Sequence, residues 1–262
     1  MAINPIVIKI FQNLSELHVP FSIATNMPFV TCDQETYNDQ SWLFTSLEDV
    51  KEFAQTYAAQ KMVFRDVLVK KEQFKDLFVD FHSMGVNEIV FCEGKTRHKL
   101  ELSEIIQFKD NLSIPPLQRP LMNQELQLST IYFLQEVRKA GVKPDREKLE
   151  PLAEEMYANL ARAHFLLPVM VEPTEEKKDK LLFPIITDKK GNKFQPVFSD
   201  HIQFQKYARK NKPEANSRIL LVDLNELQKY LSPQTQGYML NPDGYCHILT
   251  MQQLKFLSEH FK

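Results

Sequence analysis

Seven histidines and three cysteines are the side chains of this 262-residue chain best suited to metal binding or nucleophilic catalysis. No two histidines have a spacing that recommends a metal site. Cys32, Cys92 and Cys246 are widely separated, odd in number and free of any C-x-x-C pair, which argues against a disulfide framework and a zinc site. An activated cysteine needs a nearby base or a helix N-terminus to lower its pKa. Cys246 is followed by His247, but consecutive residues of a strand point to opposite faces. Cys32 precedes Asp33, whose charge would raise the thiol pKa, and Cys92 sits in an apolar stretch. All three read as small core residues, so alanine at any of them is expected to leave function intact. No G-x-S-x-G, H-E-x-x-H or S-x-x-K motif occurs in a suitable context. The expectation is therefore no catalytic residue, no metal and no cofactor.

The most distinctive polar tetrapeptide is Asn241-Pro242-Asp243-Gly244. It reads as a β-turn, because proline fixes φ and Asp-Gly completes the reversal. At the end of a central strand it would instead present Asn241 and Asp243 where open sheets bind ligands. Arg65 and Arg218, matched at the entry of two predicted strands, read either as edge residues or as a second pair of binding groups. These four are the candidate binding residues. His18 and His164 read as equivalent helix C-termini, where the helix dipole favours an imidazolium; each is a half-buried cap or half of a duplicated ligand site. His82 and His98 lie among Lys and Asp and read as solvated. The mixed-charge run 172–180 reads as an exposed turn.

Glycine usage excludes a large class of enzymes. Average usage of about 7% predicts roughly 18 glycines in a chain this long; there are six, none closer than seven residues to the next. Neither G-x-G-x-x-G nor G-x-x-x-x-G-K-[ST] can be written, so backbone-cradled phosphate chemistry is not expected. With 32 basic against 34 acidic residues the net charge is −2, which lacks the basic excess of a nucleic-acid binder. Hydrophobic residues at 43% and charged residues at 25% match a folded globular protein.

The first 17 residues lack a basic region before the apolar stretch and a small-residue cleavage site after it, and read as an amphipathic helix. The longest strongly apolar run, 165–171, falls far short of the roughly 20 residues a spanning helix needs. A cytoplasmic protein without membrane or nucleic-acid partners is expected.

The elements that must position these residues read as one unit written twice. Residues 5–19 align without gaps on 151–165, repeating Pro5, Asn13, Leu14 and His18 as Pro151, Asn159, Leu160 and His164. Both segments have helical spacing, with proline near the first turn. Downstream, 27–33 matches 182–188, a strand ending in a turn aspartate. Next, 44–54 matches 198–208, a strand end followed by a capped helix whose buried face is Val50, Phe53 and Ala54 or Phe204, Tyr207 and Ala208. Finally 65–78 matches 218–231, and 85–94 matches 237–244. The offsets stay between 146 and 155. The alternative is one large domain whose alternating strands and helices imitate a repeat.

Each unit then reads helix, strand, strand, helix, strand, helix, strand, with a short final strand and helix. Strands flanking 188–192 should form an antiparallel hairpin, and strand–helix–strand steps favour parallel pairing. The predicted fold class is mixed α/β (α+β): two similar units, each a mixed sheet packed with helices, joined by a helical connector. The expected boundaries are 1–106, 107–144 and 145–262. The connector opens on the proline-rich loop 113–120 and carries a helix over 123–139, with Leu126, Thr130, Phe133, Leu134 and Val137 on one face.

Four stretches of the second copy resemble the SseB family, named for enhanced serine sensitivity. They are Phe183-Pro184-Ile185-Ile186-Thr187, Pro196-Val197-Phe198-Ser199 with the aromatic helix to Tyr207, Leu220-Leu221-Val222-Asp223-Leu224, and the stretch from Gly237 to Gly244, similar to the family's apolar–Asn-Pro-x-Gly turn. The resemblance spans 181–257, and the first copy is a degenerate version without the Asn-Pro pair. The family has no agreed activity and no established catalytic residues, so the resemblance supplies no site. It implies a bacterial protein of regulatory or interaction character. Two functions stay open: a non-catalytic module binding a partner protein or a small metabolite, or an enzyme acting on an amino-acid-like substrate at a cleft between the units. Oligomeric state is not legible.

Overall fold

A computed structural model of the chain describes residues 9–11, 13–107, 119–173 and 180–261. The proline-rich stretch up to residue 118, the charged run 174–179 and Ile6 of the first predicted helix lie outside the described residues. Contacts divide the chain into unit 1, Met1–Arg119 with Gln127–Leu152, and unit 2, Pro120–Leu126 with Ala153–Lys262. Both have mixed α and β content with parallel and antiparallel pairing.

In unit 1 the helix predicted over 5–19 ends early. Residues 9–11 and 13 are helical, and β1 (Glu16–Ser22) begins three residues later. From Glu16 onward the fully buried Leu17 and Val19 alternate with half-buried neighbours, a period of two, and Pro20 cannot continue a helix. Then follow β2 (Met27–Pro28), β3 (Val30–Cys32), β4 (Asp39–Phe44), α1 (Leu47–Thr56), β5 (Phe64–Lys70), α2 (Phe74–Ser83), β6 (Glu88–Glu93), β7 (Thr96–Glu101) and α3 (Leu102–Ile105). Ser46 caps α1 by accepting from the Asp49 N–H, as its position before the apolar face predicts. β1 pairs antiparallel with β2 and β5 and touches β4 at His18 and Phe44. β4 runs parallel to β6 and antiparallel to β3, and β7 closes the row on β6.

The connector helix α4 (Gln124–Val137) matches the predicted span to within two residues. Leu126, Thr130 and Leu134 of the predicted face are buried, and so are Ile131 and Gln135 beside it. Gln135 explains the wider stripe. Its Oε1 accepts from the Val30 N–H at 3.2 Å and its Nε2 donates to the Val30 carbonyl at 3.0 Å, so the helix satisfies the backbone groups that Val30, opposite Ser41 in the ladder, turns away from β4.

α5 (Arg146–Arg162) begins five residues before Pro151, which therefore lies inside the helix and not at its start. Asp145 sets that start: its side chain accepts from the Glu147 N–H and its carbonyl from the Leu149 N–H. Unit 2 continues with β8 (Phe165–Glu172), β9 (Lys180–Leu182), β10 (Ile186–Thr187), β11 (Lys193–Val197), α6 (His201–Asn211), β12 (Ser217–Val222), α7 (Leu224–Tyr230), β13 (Gly237–Leu240), β14 (His247–Thr250) and α8 (Met251–His260). Its pairings run β8 with β9 and β12, β10 with β11, β11 parallel to β13, and β13 with β14, while Leu166 and Phe198 form a single bridge. Each of these has a counterpart of the same sense in unit 1. The predicted hairpin forms around Asp188, whose Oδ1 accepts from the N–H groups of Lys190 and Asn192.

Register corrects one equivalence. His18 pairs with Phe44 and Leu166 with Phe198, so His18 corresponds to Leu166 and not to His164. His18 lies within β1, its Nδ1 2.9 Å from Asp66 Oδ2, whereas His164 follows α5. The two histidines do not form a duplicated site. His82 and His98 are half-buried rather than solvated. Burial holds the His82 imidazole below its ordinary pKa, and His98 stacks on Phe91.

Candidate functional site

Unit 2 contains an open cleft of about 410 Å³ between α6 and the strand pair β8–β12. Phe204 and Tyr207 of α6 form one wall; Pro168 and Met170 of β8 with Ser217 and Ile219 of β12 form the other. The strand register puts these four on a common face, since Ser217 pairs with Met170 and Ile219 with Pro168. The helix ends where Lys212 takes a left-handed conformation (φ 42°) and returns its N–H to the Ala208 carbonyl. Pro213 then prevents continuation, and Lys212, Glu214 and Arg218 form the rim.

The cleft exists because two rings are missing. In unit 1 the corresponding strand starts with Phe64, paired with Ser22, as Ser217 is paired with Met170. The Phe64 ring sits 4.8 Å from Phe29, 5.6 Å from Phe53 and 5.8 Å from Tyr57, closing the space over α1. Phe29 has Pro184 as its counterpart: Thr31 pairs with Gln40 and Ile186 with Phe194, each two residues further on. Replacing two phenylalanines by serine and proline leaves Phe204 and Tyr207 half-buried against an unfilled space. Seating one large apolar side chain there is worth roughly 1.5–3 kcal/mol.

Of the four candidate binding residues, Arg218 reaches the cleft. Its guanidinium turns along the strand edge and donates to the carbonyls of Ser217 at 2.9 Å and Ala215 at 3.4 Å. Asp243 accepts from Lys210 Nζ at 2.6 Å, and its charge adds to burial in raising the Tyr207 phenol pKa. Arg65 belongs to unit 1, where it lies over the Phe21 ring and donates to Asn26 Oδ1.

Asn241 is buried, with φ at 50° in the left-handed region that asparagine tolerates. It sits where the parallel strands β11 and β13 end. Its Oδ1 accepts from the Ser199 N–H at 3.0 Å and its Nδ2 donates to Ser199 Oγ at 2.8 Å. Ser199 Oγ donates in turn to Asp200 Oδ2, and Asp200 Oδ1 caps α6 at the Gln203 N–H. These groups bind one another and lock two loops together. The turn reading describes what the tetrapeptide does here: the N–H groups of Gly244 and Cys246 both donate to the Asn241 carbonyl.

The cysteines differ in setting. Cys92 is buried, and burial pushes its thiol up to about 11; Cys32 and Cys246 are half-buried. Burial, with Asp39 and Asp33 nearby, also raises the Cys32 thiol. Cys92 is expected to react with Ellman's reagent at pH 8 only after unfolding, because access and thiolate fraction are both low. Peptide mapping that found Cys92 modified in the native protein would contradict this. Among the described residues no group of His, Cys, Asp and Glu is arranged to hold a metal ion, and no helix is long and apolar enough to cross a membrane.

Phe204, Tyr207 and Ser217 were not distinguishable as site residues by type or spacing. Their signal is the loss of a large residue in one copy at positions the other copy fills.

Residues 146–254 match the family model described as SseB protein N-terminal domain. No curated protein matches the chain. Among solved structures it is similar to Tic22 from Plasmodium falciparum, at 12% identity over 98% of this chain and 97% of that one, with a TM-score of 0.24. It is also similar to Anabaena Tic22 (protein transport), at 9% identity over 98% of both chains, with a TM-score of 0.22. At those identities and scores the likeness says nothing of what this chain binds.

Proposed function

We propose, taking residues 146–254 as the SseB N-terminal domain that they match, that the chain is a non-catalytic bacterial cytoplasmic binding module whose unit 2 holds a ligand in the cleft over α6. The observation carrying this reading is the open apolar space at positions that unit 1 fills with Phe29 and Phe64. A folded chain gains by burying the apolar surface that such a cleft leaves to water; a cleft kept open suits an occupant that comes and goes. The repeated pairings support one fold written twice, with binding kept in one copy and the other packed shut. The polar groups at the strand ends support it too: Asn241, Ser199 and Asp200 satisfy one another.

Ser217→Phe tests the reading by giving unit 2 the residue that unit 1 carries. The variant is expected to keep the wild-type circular dichroism spectrum, since the ring enters existing space. Native mass spectrometry of protein gently purified from its own host is expected to find a retained molecule on the wild type and none on Ser217→Phe. Equal retention by both proteins, or a bare wild type, counts against the cleft as the binding site.

A further inference from the structure

We propose that the occupant of this cleft is an extended acidic peptide segment of a partner protein, which adds as a strand to the free edge of β12 and sets one large apolar side chain between α6 and β8. This rests on the reading of the cleft as the binding site.

Among the described residues β12 pairs with β8 alone, and none of them pairs its other edge. The ladder shows which backbone groups face that edge. The Val171 N–H donates to the Asn216 carbonyl at 3.2 Å, and antiparallel pairs alternate. Arg218, Leu220 and Val222 therefore turn their backbone groups to β8, while Ser217, Ile219 and Leu221 turn theirs outward. Those of Ser217 have local partners, the Glu214 carbonyl and the Arg218 guanidinium. Ile219 and Leu221 remain outward, with side chains 41% and 50% exposed. Edge strands are usually blunted by lysine, proline or a bulge. From Ile219 to Val222 this edge reads Ile-Leu-Leu-Val. A strand laid about 4.8 Å beyond β12 would alternate its side chains, and those on the α6 side would meet the mouth of the cleft.

Charge selects among occupants. Between His201 and Arg218 the sequence has five Lys or Arg against the single carboxylate of Glu214, and of the five Lys210 is paired with Asp243. Lys212 and Arg218 are exposed at the rim. Glutamates or aspartates of an incoming strand would meet these cations, whereas a second copy paired edge to edge about a two-fold axis would oppose like charges. The matching edge of unit 1, β5, has its cleft closed by Phe64, so one segment binds per chain.

The probe is a fluorescein-labelled nonapeptide alternating glutamate and valine around a central phenylalanine, with a control carrying lysine for each glutamate. On the full chain, the acidic peptide is expected to bind one to one and to weaken as salt rises. It should also slow amide exchange at Ile219 and Leu221 by about tenfold or more. Ile219→Pro removes an outward N–H without breaking the β8 ladder and is expected to lower affinity by about tenfold or more. Leu221→Glu, which sets a like charge against the acidic strand at an exposed position, is the second variant should the proline disturb the fold. No binding, equal binding of the lysine control, unprotected Ile219 and Leu221, or full affinity in a folded variant overturns the proposal. Protection of the same amides without peptide, at doubled mass, assigns the edge to a second copy and also overturns it. If Ser217→Phe abolishes retention of the native ligand while Ile219→Pro and Leu221→Glu preserve it, the cleft stands as the site and strand addition falls. If all three variants retain the ligand, the cleft reading itself falls.

Discussion

Replacing Asn241 with leucine is expected to lower the stability of unit 2 by about 3–5 kcal/mol, the sum of a buried donor left unpaired, a lost side-chain hydrogen bond and left-handed backbone strain. The Ser199 N–H is fully buried and has Asn241 Oδ1 as its acceptor. Leucine removes that acceptor and also the donor to Ser199 Oγ. Asparagine tolerates φ near 50°; a branched apolar side chain does so poorly. The measurement is native-state amide exchange in β11 and β13, which should accelerate by more than about a hundredfold for a loss of this size. Exchange within a factor of two of wild type would show that the two loops are held by something else. Asn241→Asp separates shape from charge. The new carboxyl would be buried close to Asp200, so it would bind its proton more tightly folded than unfolded. Stability of that variant should fall as pH rises through the carboxylate range and recover on acidification. A pH-independent deficit would mean that no charge is buried there.

Local chemistry made much of the fold legible. Ser46 and Asp200 mark helix starts because a short polar side chain before an apolar face can accept an otherwise unpaired N–H, and both do so. Asp188 followed by Lys-Lys-Gly-Asn marks a hairpin because the carboxylate gathers successive N–H groups, and β10 and β11 pair across it. Where two periods compete over a short stretch, reading fails. Residues 5–19 carry apolar residues at helical spacing, yet from Glu16 the tertiary partner β5 pairs seven successive positions of β1 and the strand wins. Pro151 is a second case: a first-turn proline is the favoured placement, but Asp145 caps earlier and the helix absorbs the proline.

The site was illegible for a different reason. Chemistry-bearing residues draw attention, and Asn241 was the most conspicuous of them; burial shows its side chain closed on Ser199. A cleft is made by what is small, and serine or proline in a strand has no signature of its own. Aligned columns carried the information, because Phe29 falls opposite Pro184 and Phe64 lies one residue before the segment matched at Arg65. The helix wall was equally ambiguous. Phe204 and Tyr207 have the spacing of a core face, which Val50 and Phe53 occupy at the same positions in unit 1, where both are buried.

Phe64→Ser makes the reciprocal change and is expected to destabilise unit 1 by about 3–4 kcal/mol, in the range of large-to-small aromatic truncations. The ring contacts Phe29, Phe53 and Tyr57 within 6 Å, and Phe29 is fully buried beneath it. Serine would leave a cavity lined by three rings and place a hydroxyl within it, so transfer, cavity and polar burial terms all act in one direction. The chain offers a local reporter. Trp42 is the single tryptophan, belongs to unit 1 and lies 4.9 Å from Phe53, a direct neighbour of the truncated ring. Denaturation followed by its fluorescence should show an earlier midpoint for Phe64→Ser, and its native emission should move to longer wavelength as water reaches the opened space. An unchanged midpoint would mean that Phe64 is a surface ring and not the plug of a closed cleft. The explanation of the open cleft in unit 2 would then fail with it, because Phe64 opposite Ser217, together with Phe29 opposite Pro184, is what separates the closed space from the open one.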